Sequence, residues 1–428
     1  MTRLLALLLA LLAVAAAPVS AAPAAAPPPG PVILVSLDGF RADYLRRGAT
    51  PTLARLAREG AWAAEGMRPS FPSLTFPNHY TLVTGLRPDR HGIVNNAMED
   101  PAVAENPKFS LSNVDANADR RWWDGGEPIW VTARNAGLRA ATVGWPGSEA
   151  PVRGVRPQKW THYDDDTPMA LRIDQALAWL ALPAEKRPQF LTLYLPEPDH
   201  TGHEAGPDST ETTARLRQVD AQIARLVAGL RRLRLLDRAQ LVIVADHGMA
   251  AVRRDRVLYL DDMVAADRVR VVTSGPVSGL TPKDAEAEAR LLAPHPHLRC
   301  WRKAEVPPAF HYGANPRVPP VVCLADVGSQ LQTREAAAKW KSFNRGQHGY
   351  DPAAPEMRAL FLAHGPAFRP GSRLPMFDNV DVQPLLARLL GVSAPIGDGS
   401  AAVFAPALAA AGAAGRDTAP VAPAPPGA

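Results

Sequence analysis

VILVSLDGF, Val32 to Phe40, decides the fold. Its apolar run is the length of a strand, is rich in β-branched residues, and stops at Asp38-Gly39. Such a run reads as a buried strand feeding a turn. Working outward, the same grammar recurs in AATVGWPG (Ala140–Gly147), FLTLYLPEPD (Phe190–Asp199), QLVIVADHG (Gln240–Gly248) and LFLAHGP (Leu360–Pro366). Between these runs, apolar residues recur at helical spacing over Thr50–Glu59, Met169–Leu180, Thr210–Leu236 and Val380–Leu390. Thr50-Pro51 offers an N-cap and first-turn pair. Strands alternating with helices predict an α/β fold: a mostly parallel central sheet with helices on both faces. From about 253 to 344 the pattern is less regular, with VRVVTSG (Val269–Gly275), VVCLADVG (Val321–Gly328) and a proline-rich stretch near Val306–Pro320. This region reads as a smaller α+β insertion.

Composition bounds the rest. With 428 residues, 46% hydrophobic and 21% charged, the chain can bury a large core, which excludes a disordered protein or a small disulfide-stapled scaffold. The net charge of +5 is scattered, so duplex nucleic-acid binding is not expected. Leu4 to Ala17 is an apolar run behind a basic start, with small residues at Val19-Ser20-Ala21. It predicts a signal peptide over 1–21, export to a periplasm or the medium, and no stable membrane span after cleavage. An Ala/Pro-rich linker is expected over 22–31, one catalytic domain over 32–404, and a disordered Ala/Pro-rich tail over 405–428. Cys300 and Cys323 are the two cysteines, and the sequence leaves their pairing open.

In an open parallel sheet, ligands bind beyond the carboxyl ends of the strands. Acidic and imidazole groups collect there. Asp38 ends the first run, Asp199 follows another with His203 four residues on, Asp246-His247 ends a third, and His348 lies in a glycine-rich loop. Alone, an Asp-Gly is most often a turn, and an Asp/His pair at i, i+4 is often a surface pair. Together, three carboxylates and three imidazoles from four segments form an oxygen/nitrogen donor set that suits zinc without thiolates. A hydroxyl nucleophile is at hand in PSLTFPNHY, where Thr75 falls in the first turn of a helix that favours an anionic group. The plain alternative is that Thr75 is a helix cap.

The motifs VSLDGFRADYL, PSFPSLTFPNHYTLVTGLRPDRHGIVNN, GGEPIWVTA, GWPGSE, LYLPEPDHTGHEAGP, VIVADHGM, FHYGANPRVPP, QHGYDP and LFLAHGPAF occur in one order from Val32 to about Gly399. In these the chain resembles the nucleotide pyrophosphatase/phosphodiesterase family of the alkaline phosphatase superfamily, in its compact bacterial form. The resemblance implies an alkaline-phosphatase-like fold and two Zn²⁺ ions per subunit. One ion would be held by Asp38, Thr75, Asp246 and His247, the other by Asp199, His203 and His348. It implies that Thr75 is the nucleophile of a covalent threonine intermediate and that Asn96 donates to a phosphate oxygen. Phe76 and Tyr194 would sandwich the base of a nucleotide substrate. The expected activity is hydrolysis of nucleotide diesters and nucleoside triphosphates to 5′-monophosphates. A glycerophosphocholine or lysophospholipid-type phosphodiesterase, or a phosphomonoesterase, is the alternative on the same fold. Two positions depart from the family pattern: Asn95 stands where an Asp is usual, and His200 where a small or polar residue is usual. His200 is not expected to be a ligand. The oligomeric state is left open.

Overall fold

The computed structural model describes residues 30–103, 108–164 and 166–409. The expected signal peptide and nearly all of the expected linker lie outside the described residues. We number the elements used below in chain order. The first half carries β1 (Val32–Leu37), α1 (Pro51–Glu59), β2 (Ala61–Ala63), α2 (Thr75–Thr84), α3 (Ile129–Asn135), β3 (Ala140–Val143), β4 (Lys159–Trp160) and α4 (Met169–Leu180). Next come β5 (Phe190–Leu195), α5 (Asp199–Ala205), α6 (Thr210–Arg232) and β6 (Gln240–Val244). The insertion contributes β7 (Val269–Thr273), β8 (Val277–Pro282), α7 (Ala285–Leu292), β9 (Leu298–Arg302) and β10 (Val321–Ala325). The chain then returns through β11 (Phe361–His364), β12 (Ser372–Leu374) and α8 (Val382–Leu390).

The central sheet has eight strands in the order β12-β2-β11-β6-β1-β5-β3-β4. β1 lies between β5 and β6, parallel to both. Every residue of β1 and β5 is buried, so both faces of the sheet are covered, as parallel strands require. One helical layer packs α1 and α4 on α6; another packs α2 and α3 on α8, which also touches β1. β11 runs antiparallel to both of its neighbours, β6 and β2, making the sheet mixed at that strand. Its run of apolar residues was legible, but strand direction was not. Helix α1 also differs in detail: Thr50 makes no side-chain cap, and the buried Asp220 carboxylate on α6 accepts from the N–H groups of Thr52 and Leu53 instead.

The insertion forms an antiparallel sheet, β7-β8-β10-β9, with its own apolar cluster built on Leu280, Leu291, Leu298 and Val321. Cys300 on β9 and Cys323 on β10 face each other directly across the ladder and are joined as a disulfide. The bridge closes a segment of sequence separation 23. Its loss is expected to cost about 3 kcal/mol by restoring unfolded-chain entropy. A Cys300→Ser/Cys323→Ser pair measured by denaturant unfolding checks this; an unchanged midpoint would show that the bridge contributes nothing.

The folded chain also runs past the expected boundary at 404. Phe404 is fully buried against Phe361 and Phe377. Backbone bonds from Arg369 to Ala407 and from Ala409 to Ala367 fasten the segment to the core. An Ala/Pro-rich composition hid this, because the anchoring comes from one aromatic ring.

Candidate metal centre and nucleophile

The parallel strands deliver their carboxyl ends to one place. Asp38 follows β1, Asp246 and His247 follow β6, and the turn after β5 opens α5 at Asp199, one helical turn before His203. The Asp199 N–H donates to the Asp38 carbonyl at 3.0 Å, tying two of the strand ends together. His348 arrives from the loop after the insertion.

These side chains converge. His247 Nε2 lies 2.9 Å from Asp246 Oδ2, 3.6 Å from Asp38 Oδ1 and 3.2 Å from Thr75 Oγ1. Asp199 faces His203 Nε2 at 3.3 Å and His348 Nε2 at 3.6 Å. The rings of His247 and His348 stack with centroids 3.6 Å apart. Two sets have donor atoms within 4.8 Å of one another: Asp38, Asp246 and His247, and Asp199, His247 and His348. His247 thus belongs to both, while His203 stands beside Asp199.

The donor chemistry fits divalent cations. One oxygen of each carboxylate, Asp38 Oδ1, Asp199 Oδ1 and Asp246 Oδ2, is buried without a hydrogen-bond partner. Leaving such atoms unsatisfied is costly unless something positive meets them. The three imidazoles repeat one arrangement. Nδ1 of His247, His203 and His348 lies 2.8–2.9 Å from the carbonyls of Gly248, Gly346 and Ser73 respectively. A carbonyl only accepts, so each Nδ1 carries the proton and, in the neutral ring, each Nε2 presents a lone pair toward the carboxylates. Metal-binding histidines are oriented in this way.

Protonation is shared across the cluster. Burial, and then the charges of Asp246 and Asp199, push the Asp38 carboxyl well above its ordinary range. Burial and the neighbouring His247 push His348 down to about 3. For Asp199 the same burial is overcome by His203, His348 and His247, which hold it below the usual carboxylate range. Against the pull of burial, Asp199 raises His203 and Asp246 raises His247, while His247 and His79 lower Asp246, so the carboxylates are offset by positive charge on imidazole or on a bound cation.

Thr75 is the first residue of α2 and is buried; Leu74 is the N-cap, and it makes no side-chain cap bond. The Thr75 hydroxyl points to His247 and not to the helix end, which answers the cap alternative. Asn96 Oδ1 accepts from the Phe76 N–H at 2.9 Å, so its amide nitrogen is the end left to donate. The loop that carries Asn96 is held from the insertion. Tyr312 Oη donates to the Val94 carbonyl, Arg317 donates to the Gly92 and Trp122 carbonyls, and Asp89 accepts from the N–H groups of Gly313, Ala314 and Asn315. FHYGANPRVPP therefore fixes the position of a loop distant in sequence.

The two residues expected to sandwich a base are both buried. Tyr194 is 2% exposed, and its hydroxyl donates to Asp38 Oδ2 at 2.7 Å, so it orients a carboxylate. Phe76 is fully buried, in edge or tilted contact with Phe109, Trp123 and Tyr163. Tyr163 touches both Phe76 and Tyr194, with centroids at 5.0 and 5.3 Å, and is only partly buried. Sequence reasoning missed Tyr163 because it follows the edge strand β4 in a loop with no periodicity. His79, which the sequence assigns a structural or supporting place without naming partners, stands behind the site. His79 donates to the Thr75 carbonyl, accepts from Ser36 Oγ at 2.8 Å and lies 3.5 Å from Asp246 Oδ2. Its position four residues after Thr75, on the same helix face, was the available signal. His200 is exposed.

Residues 32–351 match the family described as Type I phosphodiesterase / nucleotide pyrophosphatase. The chain belongs to this family. Like other type I phosphodiesterases/nucleotide pyrophosphatases, it is a hydrolase. It is 38% identical over 383 residues to an uncharacterized pyrophosphatase/phosphodiesterase of Schizosaccharomyces pombe, covering 86% of this chain and 78% of that one. It is 37% identical over 377 residues to human ectonucleotide pyrophosphatase/phosphodiesterase family member 1, covering 85% of this chain but 40% of the human protein. Against several of its relatives, then, the chain spans less than half their length. Among solved structures, murine ectonucleotide pyrophosphatase/phosphodiesterase 5, an inactive variant in complex with AMP, superimposes with a TM-score of 0.83 at 34% identity, covering 89% of this chain and all of the other.

Proposed function

We propose that this chain hydrolyses nucleotide diesters and nucleoside triphosphates to nucleoside 5′-monophosphates through a covalent threonine intermediate, with two zinc ions at the site. The observation that carries the reading is the Thr75 hydroxyl, at a helix N-terminus, 3.2 Å from His247 and beside three buried, unpartnered carboxylate oxygens. Asp38, Thr75, Asp246 and His247 would hold one ion, and Asp199, His203 and His348 the other. Bound cations supply the positive charge that activates a hydroxyl or water and offsets charge on the leaving oxygen.

The chain's own residues do the rest. Thr75 Oγ loses its proton to solvent and forms a bond to phosphorus, while the bond from phosphorus to the leaving oxygen breaks. Water then attacks the same phosphorus, the bond to Thr75 breaks, and the monophosphate departs; one water is consumed overall. The Asn96 amide donates to a non-bridging oxygen where charge collects. Tyr194 and the three backbone carbonyls hold Asp38 and the imidazoles in orientation. The base stacks on Tyr163, the partly exposed ring of the aromatic cluster. The AMP complex of the murine relative supports a nucleotide substrate. The apolar start of the chain supports export by a cleaved signal peptide. No helix among the described residues is long and apolar enough to cross a membrane.

The test is a panel of a nitrophenyl nucleotide diester, a nitrophenyl monoester, a nitrophenyl alkyl diester and glycerophosphocholine. The nucleotide diester is expected to have the highest kcat/KM. Stacking a base on an aromatic ring contributes ~1–3 kcal/mol. Tyr163→Ala is therefore expected to lower the nucleotide value by about 5- to 150-fold while sparing the alkyl diester. Equal losses on both substrates would remove the base-stacking role. A preference for glycerophosphocholine would replace the nucleotide reading altogether.

A further inference from the structure

A buried positive charge lies against the aromatic cluster. Arg172, in the first turns of α4, is 2% exposed. Its Nε donates to the Thr167 carbonyl at 3.0 Å, and its Nη2 donates to the Asp164 carbonyl. Asp164 Oδ1 lies 3.3 Å from the same nitrogen. The guanidinium carbon sits 5.6 Å from the centroid of the Tyr194 ring. Gly144, which follows β3 with φ at +61°, makes room for the group: a Cβ there would come within 2.5 Å of Arg172 Nη1.

The turn that Arg172 grips is the one that follows Tyr163. Asp164 closes this turn by accepting from the Thr167 N–H at 2.6 Å and from the Thr167 hydroxyl at 3.0 Å. On the other side of Tyr163, His162 Nδ1 lies 2.6 Å from Glu149 Oε2. Tyr163 is therefore held between two anchored neighbours, and the anchor on its C-terminal side is Arg172. Desolvating a guanidinium is costly, and the helix itself does not require a charge at this position. What the arginine supplies is geometry. Its planar fork meets two carbonyls of one turn, and an ammonium has no such fixed fork.

We infer that Arg172 is a positioning residue for base recognition: by fixing the turn from Asp164 to Thr167 it holds the Tyr163 ring where a base stacks. This rests on the nucleotide reading above, and Arg172 acts through Tyr163. A ring that is already ordered loses little freedom when a base covers it, whereas a ring on a loose turn must be ordered by the substrate. Preference for nucleotides over simple diesters thus depends on a buried charge in α4.

The test measures kcat/KM of the metal-loaded protein on the nitrophenyl nucleotide diester and the nitrophenyl alkyl diester, which share a leaving group. Arg172→Met keeps an unbranched side chain in the buried position and removes the fork. It is expected to lower the nucleotide-to-alkyl ratio at least ~3-fold, and by no more than Tyr163→Ala does. In a Tyr163→Ala background it should lower the ratio no further, as expected of two residues that act as a unit. Arg172→Lys keeps the charge, guards against loss of the fold, and should also lower the ratio. An unchanged ratio in either folded variant overturns the assignment. So does an equal loss on both substrates, which would make Arg172 a general support of the fold or of Tyr194. A loss fully additive with that of Tyr163→Ala overturns it as well. If Tyr163→Ala alone leaves the ratio unchanged, the stacking reading itself falls, and the role of Arg172 with it.

Discussion

Thr75→Ala is expected to lower turnover on a nucleotide diester by about 10³-fold or more, because it removes the attacking atom rather than a binding contact. The fold should survive. Thr75 makes no cap bond, and alanine is at ease in the first turn of a helix. KM should change far less than kcat, since the Asn96 amide and the Tyr163 ring remain. Thr75→Ser keeps the hydroxyl and should retain a measurable fraction of activity, which separates loss of the nucleophile from disturbance of α2. Rapid quenching of the native protein with labelled substrate should trap a phosphoester on this residue. Retention of more than a tenth of native turnover by a folded, metal-loaded Thr75→Ala protein would falsify the covalent scheme.

Exhaustive chelation is expected to abolish activity, with Zn²⁺ restoring it best. The reason lies in the buried oxygens of Asp38, Asp199 and Asp246, which no protein group satisfies. Restoring the ion should also raise Tm. Binding to the native state alone stabilises by roughly 4 kcal/mol at a free concentration a thousand times Kd. Tyr194, bonded to Asp38, makes the binding term separable: Tyr194→Phe leaves the six Asp and His donors in place, yet should weaken metal affinity by about 10- to 100-fold. Full activity in protein shown by metal analysis to be ion-free would rule out the bimetal reading. Restoration by Mn²⁺ but not by Zn²⁺ would keep the site and change the ion.

Much of the site could be read directly because its residues are punctuation. Asp38, Asp199 and Asp246 stop apolar runs, and a carboxylate that ends a buried strand announces itself in one dimension. Parallel strands then do the assembly, since all their carboxyl ends emerge on one edge of the sheet. The division into two ion sites, and the roles of Asn96, Phe76 and Tyr194, came from family resemblance and not from spacing. Tyr194 shows the limit of that route. Its place at the end of β5 put it near the chemistry, but whether its ring or its hydroxyl faces the site depends on what packs against it. Tyr163 covers the ring, and Asp38 takes the hydroxyl.

The sequence by itself determined the alternation of strands and helices, the strand-end acids, the α+β character of the insertion and the place of Thr75 at the start of a helix. Each is written in local periodicity or in a residue adjacent to a turn. Only the tertiary structure decided the rest. It reversed β11, paired Cys300 with Cys323 through the register of β9 and β10, and carried the packed chain through Ala409 on the anchor of Phe404. It set His79 under Asp246 and brought Tyr163 from an edge loop to the ring cluster around Phe76. These are contacts between segments far apart in the chain, and their energy depends on direction, register and which face meets which, quantities that no local pattern encodes.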